Sequence, residues 1–238
     1  FQVKFDPGQI PPDEMLAKLK ELEGSQAETK SVIDTRIIEV PVYYQDPWTQ
    51  ETLMKFRDRH QDPNSTDIEY AAEINGFNSV DQFIKAHSGA PWIVTMVGFV
   101  AGLPFLFQLV DRVRQIEVPK YLRPRTDTPK LTVGYGGCFT AIYSVRGAGG
   151  YQIFGITPMP IYDPKQEISY LTDFMVFFKP GDIVQFRSIG REEYESTVAA
   201  VEDGMFSPRI RNIEFSLDGF NQDIDGYNHR IQETLYGS

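Results

Sequence analysis

Eleven consecutive residues, Lys120-Tyr121-Leu122-Arg123-Pro124-Arg125-Thr126-Asp127-Thr128-Pro129-Lys130, hold the densest set of groups able to do chemistry in this sequence. Lys120, Arg123, Arg125 and Lys130 are cations around a single anion, Asp127, in a chain that is acidic overall. Pro124 and Pro129 keep the backbone extended, so the side chains between them are displayed. Clustered Arg and Lys can hold carboxylate or bicarbonate oxygens, and a carboxylate among them accepts hydrogen bonds from an N–H-rich ligand. On charge pattern alone the competing reading is a solvated loop whose charges pair with acidic neighbours.

Other chemistries find less support. Gly134-Tyr135-Gly136-Gly137 and Gly147-Ala148-Gly149-Gly150 suggest phosphate loops, but Phe139 and Gln152 stand where the dinucleotide fingerprint needs its third Gly, and no Gly-Lys-Ser/Thr follows. They read as tight turns and close backbone approaches. His60, His87 and His229 are far apart and the one cysteine, Cys138, lies in an apolar run, so no metal site is expected. No serine occupies a nucleophile-elbow context.

The elements that must position the charged ribbon follow from composition and periodicity. The chain has 238 residues, 41% hydrophobic and 13% aromatic, and a formal charge of -10. It can fill a core, and its charge argues against nucleic acid or an anionic membrane as the main partner. Ser88 to Val110 carries no formal charge and is long enough to span a bilayer, but Pro91, Pro104, Gly98 and Gly102 and a β-branched middle favour a buried strand followed by a Gly-rich turn. With one cysteine and no span, a cytoplasmic location is expected. Phe1-Gln2-Val3-Lys4-Phe5 has no initiator Met and no signal-peptide pattern, which reads as a processed or truncated start.

Helical spacing is found over 13–23, 49–60 and 65–75, and a short helix begins after the N-cap candidate Ser79; 31–44 reads as a strand. After His87 short apolar runs alternate with Gly and Pro, the texture of an antiparallel barrel or sandwich. Phe174–Phe178 and Ile183–Phe186, joined by Pro180-Gly181-Asp182, read as a hairpin. The expected division is an N-terminal α+β domain at 1–88, a β domain at 89–190 and an extension at 191–238, helical at first and then a polar arm able to lie on a partner.

Four ordered stretches carry a resemblance: Gly98-Phe99-Val100-Ala101-Gly102-Leu103-Pro104-Phe105-Leu106, Pro124 to Lys130, Gly147-Ala148-Gly149-Gly150-Tyr151, and Gly155-Ile156-Thr157-Pro158. Together they resemble the KipI-like family, also called allophanate hydrolase subunit 1, over roughly residues 30 to 190. Ala101, Leu103, Phe105, Asp127 and Lys130 depart from the usual bacterial stand-alone pattern. With Ser88-Gly89-Ala90-Pro91-Trp92 and Lys179-Pro180-Gly181-Asp182-Ile183-Val184 they look more like the urea or guanidine carboxylase branch.

The resemblance implies an α+β fold: a small α+β domain followed by a cyclophilin-like antiparallel β barrel. It also implies the C and D subdomains of a carboxyltransferase, in a heteromer with a KipA-like partner supplying subdomains A and B, a biotin carboxyl carrier and a biotin carboxylase. The activity would be transfer of CO2 from carboxybiotin to a urea or guanidine nitrogen. Asp127 would orient the substrate N–H groups and assist proton removal, with Arg125 and Lys130 stabilising the developing carboxylate or enolate. Gly98, Phe99, Gly102, Pro104, Arg123, Gly149, Gly150 and Tyr151 would line the substrate. Leu53-Met54-Lys55-Phe56 lacks the Met that follows a biotinylated Lys, so biotin is expected on another chain or segment. Two other family activities compete: a subunit of an ATP-dependent 5-oxoprolinase-type lactam hydrolase, and inhibition of a sensor histidine kinase.

Overall fold

The computed structural model describes residues 3–25 and 32–237. Phe1, Gln2 and Ser31 of the expected start and first strand lie outside them. Strand β1 (Val32–Tyr44) is the hub of the sheet. Its run of Ile, Val and Tyr suits a strand whose neighbours cover it on both faces, and every residue from Ile37 to Val42 is buried.

The strands that follow are β2 (Trp92–Val97), β3 (Pro104–Gln108), β4 (Arg125–Thr128), β5 (Thr132–Gly136), β6 (Phe139–Ile142), β7 (Gly147–Gly149), β8 (Gln152–Ile156), β9 (Ile183–Ser188) and β10 (Ile210–Ser216). Eight of them form one sheet in the order β10-β1-β8-β5-β6-β3-β2-β9, and β9 returns to pair with β1. The result is a ring-like mixed sheet. It corrects the expectation of a cyclophilin-like antiparallel barrel: β1 and β9 run parallel, Ile37 against Ile183 through Val42 against Ser188, and β1 comes from the first 44 residues. Turn signals report antiparallel neighbours, whereas a parallel pair is joined through a long crossover that leaves no local mark. Arg36 reinforces this junction, donating from Nε and Nη2 to the buried Asp182 carboxylate at 2.9 and 2.8 Å.

Asp182 also accepts from the backbone N–H of Lys179 at 2.9 Å, which bends the chain at Gly181 (φ 92°). The segment 174–178 is not the strand expected before this turn. It makes one isolated bridge, Val176 to Tyr162, while Phe177 and Phe178 turn into the core. Its apolar content serves packing and builds no ladder.

Helices cover the ring where the sequence has caps. Asp46 accepts from the N–H groups of Trp48 and Thr49 and starts α2 (Pro47–Lys55). Thr66 and Glu69 make a reciprocal capping box on α3 (Asp67–Ile74), and Ser79 caps α4 (Val80–Gly89). Another helix, α1 (Pro12–Ser25), precedes β1. Beyond residue 190 the chain folds back instead of forming a free polar arm. Helix α5 (Arg191–Glu202) is followed by β10, which pairs antiparallel with β1, and then by α6 (Leu217–Gln222) and α7 (Ile224–Tyr236). Phe215, Phe220, Ile231 and Leu235 close a second apolar cluster over Ile37 and Ile183. No helix among the described residues is long and apolar enough to cross a membrane.

At the centre of the main core lies His87, fully buried among Tyr44, Phe83, Trp92, Tyr135, Phe154 and Phe186. Its Nδ1 lies 2.8 Å from the Tyr44 hydroxyl and its Nε2 3.2 Å from Thr140 Oγ1, so both ring nitrogens are satisfied without a charge. Burial pushes its pKa down to about 3. The unfolded chain therefore binds a proton below about pH 6.5 that the folded chain refuses, and stability present above that value is lost as pH falls towards 3. Guanidinium chloride unfolding should show a loss approaching ~1.4 kcal/mol per pH unit from this residue. His87→Gln, less stable at pH 8, should have a visibly flatter slope between pH 6 and 4; an unchanged slope would exclude His87 as its source.

Candidate functional site

The charged ribbon forms one strand of a small two-stranded sheet. β4 pairs antiparallel with β7, Arg125 against Gly149 and Thr128 against Gly147. Three steps on β4 oppose two on β7, so a bulge lies between the two pairs. In a regular strand Arg125 and Asp127 would share a face. The bulge separates them: Arg125 has no exposed surface, whereas the Asp127 side chain is 27% exposed.

Arg125 enters a buried polar cluster beneath the small sheet. Its Nη1 lies 3.9 Å from Asp67 Oδ2, its Nε 3.3 Å from Thr128 Oγ1, and its guanidinium carbon 4.6 Å from the Tyr121 ring centre. Asp67, at the start of α3, accepts from the Tyr121 hydroxyl at 2.5 Å and from the Ile153 N–H at 2.6 Å. His60 Nε2 stands 3.4 Å from the same carboxylate. Burial pushes the Asp67 carboxyl up, against the pull of the Arg125 charge and these hydrogen bonds. It also pushes the Tyr121 hydroxyl up, so Tyr121 stays a donor.

A cavity lies at each end of this small sheet. At the Thr128/Gly147 end, Asp127, Lys130, Lys55 and Arg146 border a basin of about 480 Å³, walled by Trp48 and Tyr194. Arg146 donates to both Asp127 oxygens, at 2.6 and 2.7 Å, and Lys55 to one at 3.2 Å. The Arg146 guanidinium, with Lys55 beside it, holds the Asp127 carboxyl well below the usual carboxylate range. Lys130 is exposed at the rim.

At the Arg125/Gly149 end a cavity of about 400 Å³ is almost wholly apolar, lined by Phe99, Tyr121, Tyr143, Gly149, Gly150 and Tyr151, with Lys120 at its mouth. The Lys120 ammonium lies 5.2 Å from the Tyr151 ring centre. A Cβ at Gly149 would run into the Tyr143 hydroxyl and one at Gly136 into the Tyr151 ring, so both glycines are set by the rings that build the wall.

The expected catalytic group is thus divided. Asp127 and Lys130 share the polar basin, and Arg125 supports the small sheet from inside. Of the expected substrate contacts, Phe99, Gly149, Gly150 and Tyr151 share the apolar cavity. Gly98, Gly102 (φ 76°) and Pro104 shape the β2–β3 turn that carries Phe99, 71% exposed, to the rim. Arg123 points elsewhere, pairing with Asp58 at 3.0 Å.

Sequence reading missed Lys55, Arg146, Trp48, Tyr194 and Asp67. Arg146, directly before a Gly cluster, and Trp48, just after the Asp46 cap, carried faint signals. Asp67 carried none, because an acid after Thr66 reads as an ordinary first-turn residue.

Breaking the buried pair should cost more than removing it. Asp67→Asn or Arg125→Met alone should lose roughly 3–5 kcal/mol in guanidinium chloride unfolding, with the double variant well short of the sum. Additive losses would show that the two side chains do not interact.

Residues 1–172 match the family described as carboxyltransferase domain, subdomain C and D. The chain is 29% identical over 164 residues to a 5-oxoprolinase subunit of Bacillus subtilis, covering 69% of this chain and 58% of that protein. It is 23% identical over 226 residues to a putative urea carboxylase of Emericella nidulans, covering 93% of this chain and 18% of that protein. The chain therefore spans just over half of the first relative and under a fifth of the second. The fold matches that of the K. lactis urea amidolyase with a TM-score of 0.76 at 24% identity, over 96% of this chain and 14% of that one. This chain belongs to the family of the carboxyltransferase domain, subdomains C and D.

Proposed function

We propose that this chain is the carboxyltransferase component of a biotin-dependent carboxylase, working with a second polypeptide or segment that supplies subdomains A and B, and that the acceptor is a urea- or guanidine-type nitrogen. The observation that carries this reading is the Asp127 basin, a permanently ionised carboxylate next to an exposed cation within the domain that matches the family. Asp127 accepts hydrogen bonds from the acceptor N–H groups and orients the nitrogen lone pair. Lys130, at the rim, stabilises the carboxylate as it forms. Arg146 and Lys55 keep Asp127 ionised and fixed, and Arg125 with Asp67 and Tyr121 holds the strand that carries it. With its pKa held so low, Asp127 orients and stabilises; it is not a base poised to take a proton near neutral pH.

The apolar cavity fits a biotin ring system in size and lining, with Lys120 available to the polar edge. Carboxybiotin would supply the carboxyl group, and the ureido nitrogen left on biotin would take up the proton that the acceptor nitrogen gives up. Tyr121, Tyr143 and Tyr151 would hold the ring and exclude water, with Phe99 at the open side. Three residue steps of β4 separate the two ends of the small sheet, about 10 Å of strand.

The chain should be reconstituted with its partner, the carrier and biotin carboxylase, and avidin-sensitive fixation of bicarbonate onto urea and guanidine measured. Asp127→Asn should lower turnover by roughly 100-fold or more while the complex still assembles on gel filtration. Undiminished turnover would remove Asp127 from the reaction.

The similarity to three 5-oxoprolinase subunits, 29%, 32% and 30% identical, favours a second reading, a component of an ATP-dependent lactam hydrolase. Under it, ATP and 5-oxoproline with the partner proteins release glutamate, and avidin has no effect.

A further inference from the structure

The wall of the Asp127 basin is built partly by a helix that lies beyond the family match, which ends at residue 172. Helix α5 has no fully buried residue, and its Glu193 bonds Arg187 of β9 at 2.6 Å. Next to Glu193, Tyr194 faces the basin. Its ring centre lies 5.2 Å from Trp48 and 5.8 Å from Tyr43. Trp48 is held on the first turn of α2, where its N–H is fixed by the Asp46 cap, and its side of the pair remains open to the basin, 38% exposed.

Two fixed rings at the side of a polar basin offer a planar ligand a face to stack on. Charge then separates the candidates. Lys55, Lys130 and Arg146 stand against Asp127 and Glu51, a surplus of one positive charge. A guanidinium would be attracted to the rings but repelled by this surplus. An uncharged planar amide meets the rings without the repulsion.

We propose that Tyr194 and Trp48 form the specificity wall of the acceptor site and select a planar, uncharged amide of the urea class over a guanidinium. Helix α5 is then a specificity element of the transfer site. This rests on the reading above that the acceptor occupies the Asp127 basin.

The test is steady-state carboxylation by the reconstituted complex with urea and with guanidinium as alternative acceptors. Wild type should use urea with the higher kcat/KM. Tyr194→Leu should raise the KM for urea about 3- to 10-fold with kcat within about twofold of wild type, and Tyr194→Phe, which keeps the ring, should stay near wild type. Trp48→Leu should give the same KM rise, and it carries the test should Tyr194→Leu fail to fold. An unchanged KM in the Leu variants, an equal defect in Tyr194→Phe, or a preference for guanidinium in wild type would each overturn the proposal. If Asp127→Asn is silent, the site assignment beneath it has failed; if Asp127→Asn is inactive and the ring variants are silent, only the specificity wall has.

Discussion

The arrangement of both cavities depends on one buried contact set, Arg125 over Tyr121 with Asp67 behind it. A two-stranded sheet of four and three residues has little stability of its own. It is held because the Arg125 guanidinium reaches under it to a carboxylate on α3, and that carboxylate also takes the N–H of Ile153 in β8. A helix, a strand of the large sheet and the small sheet therefore meet at one acid. Desolvating such a pair is costly, so it is poor evidence of net stability and better evidence of a fixed geometry. What it fixes is the bulge that turns Arg125 inward and leaves Asp127 facing a basin.

The two ends of the small sheet differ in chemistry because different elements complete them. At one end the rings of Tyr143 and Tyr151 close over glycines that admit no side chain, leaving an apolar cavity. At the other, α2 and α5 bring Lys55, Trp48 and Tyr194 to a carboxylate already held by Arg146. Neither cavity is made by the ribbon 120–130 alone. That ribbon supplies the acid and one exposed cation, and the ring-like sheet with its helices supplies the rest.

Much of this was legible in residue order. The Ser79 cap, the helical spacing over 13–23 and 65–75 and the β-branched runs of β1 and β2 gave helices and strands close to their observed limits. The extended character of 125–128 and the close backbone approaches at Gly136 and Gly149 also followed from local rules, whereas these two glycines and Gly134 and Gly147 lie in strands β5 and β7 and not in turns. The parallel partnership of β1 with β9 did not, because pairing across most of the chain depends on tertiary packing that no local window contains. For the same reason the Asp127 partners Lys55 and Arg146, 72 and 19 residues away, had no mark of their joint role. Phe174–Phe178 misled because aromatic content is shared by ladders and by irregular segments that pack inward.

The seam between β1 and β9 also bears on how the molecule is made. Arg36 and Asp182, which stand at it, are 146 residues apart, so the ring has to close across a very long loop of chain. Contacts of such high order form slowly and only after the entropy of loop closure has been met. During synthesis β1 leaves the ribosome before any of its partners and waits until β8, then β9 and β10 emerge. A chaperone or an early-folding neighbour that shields this strand would raise the yield of native protein without touching the site.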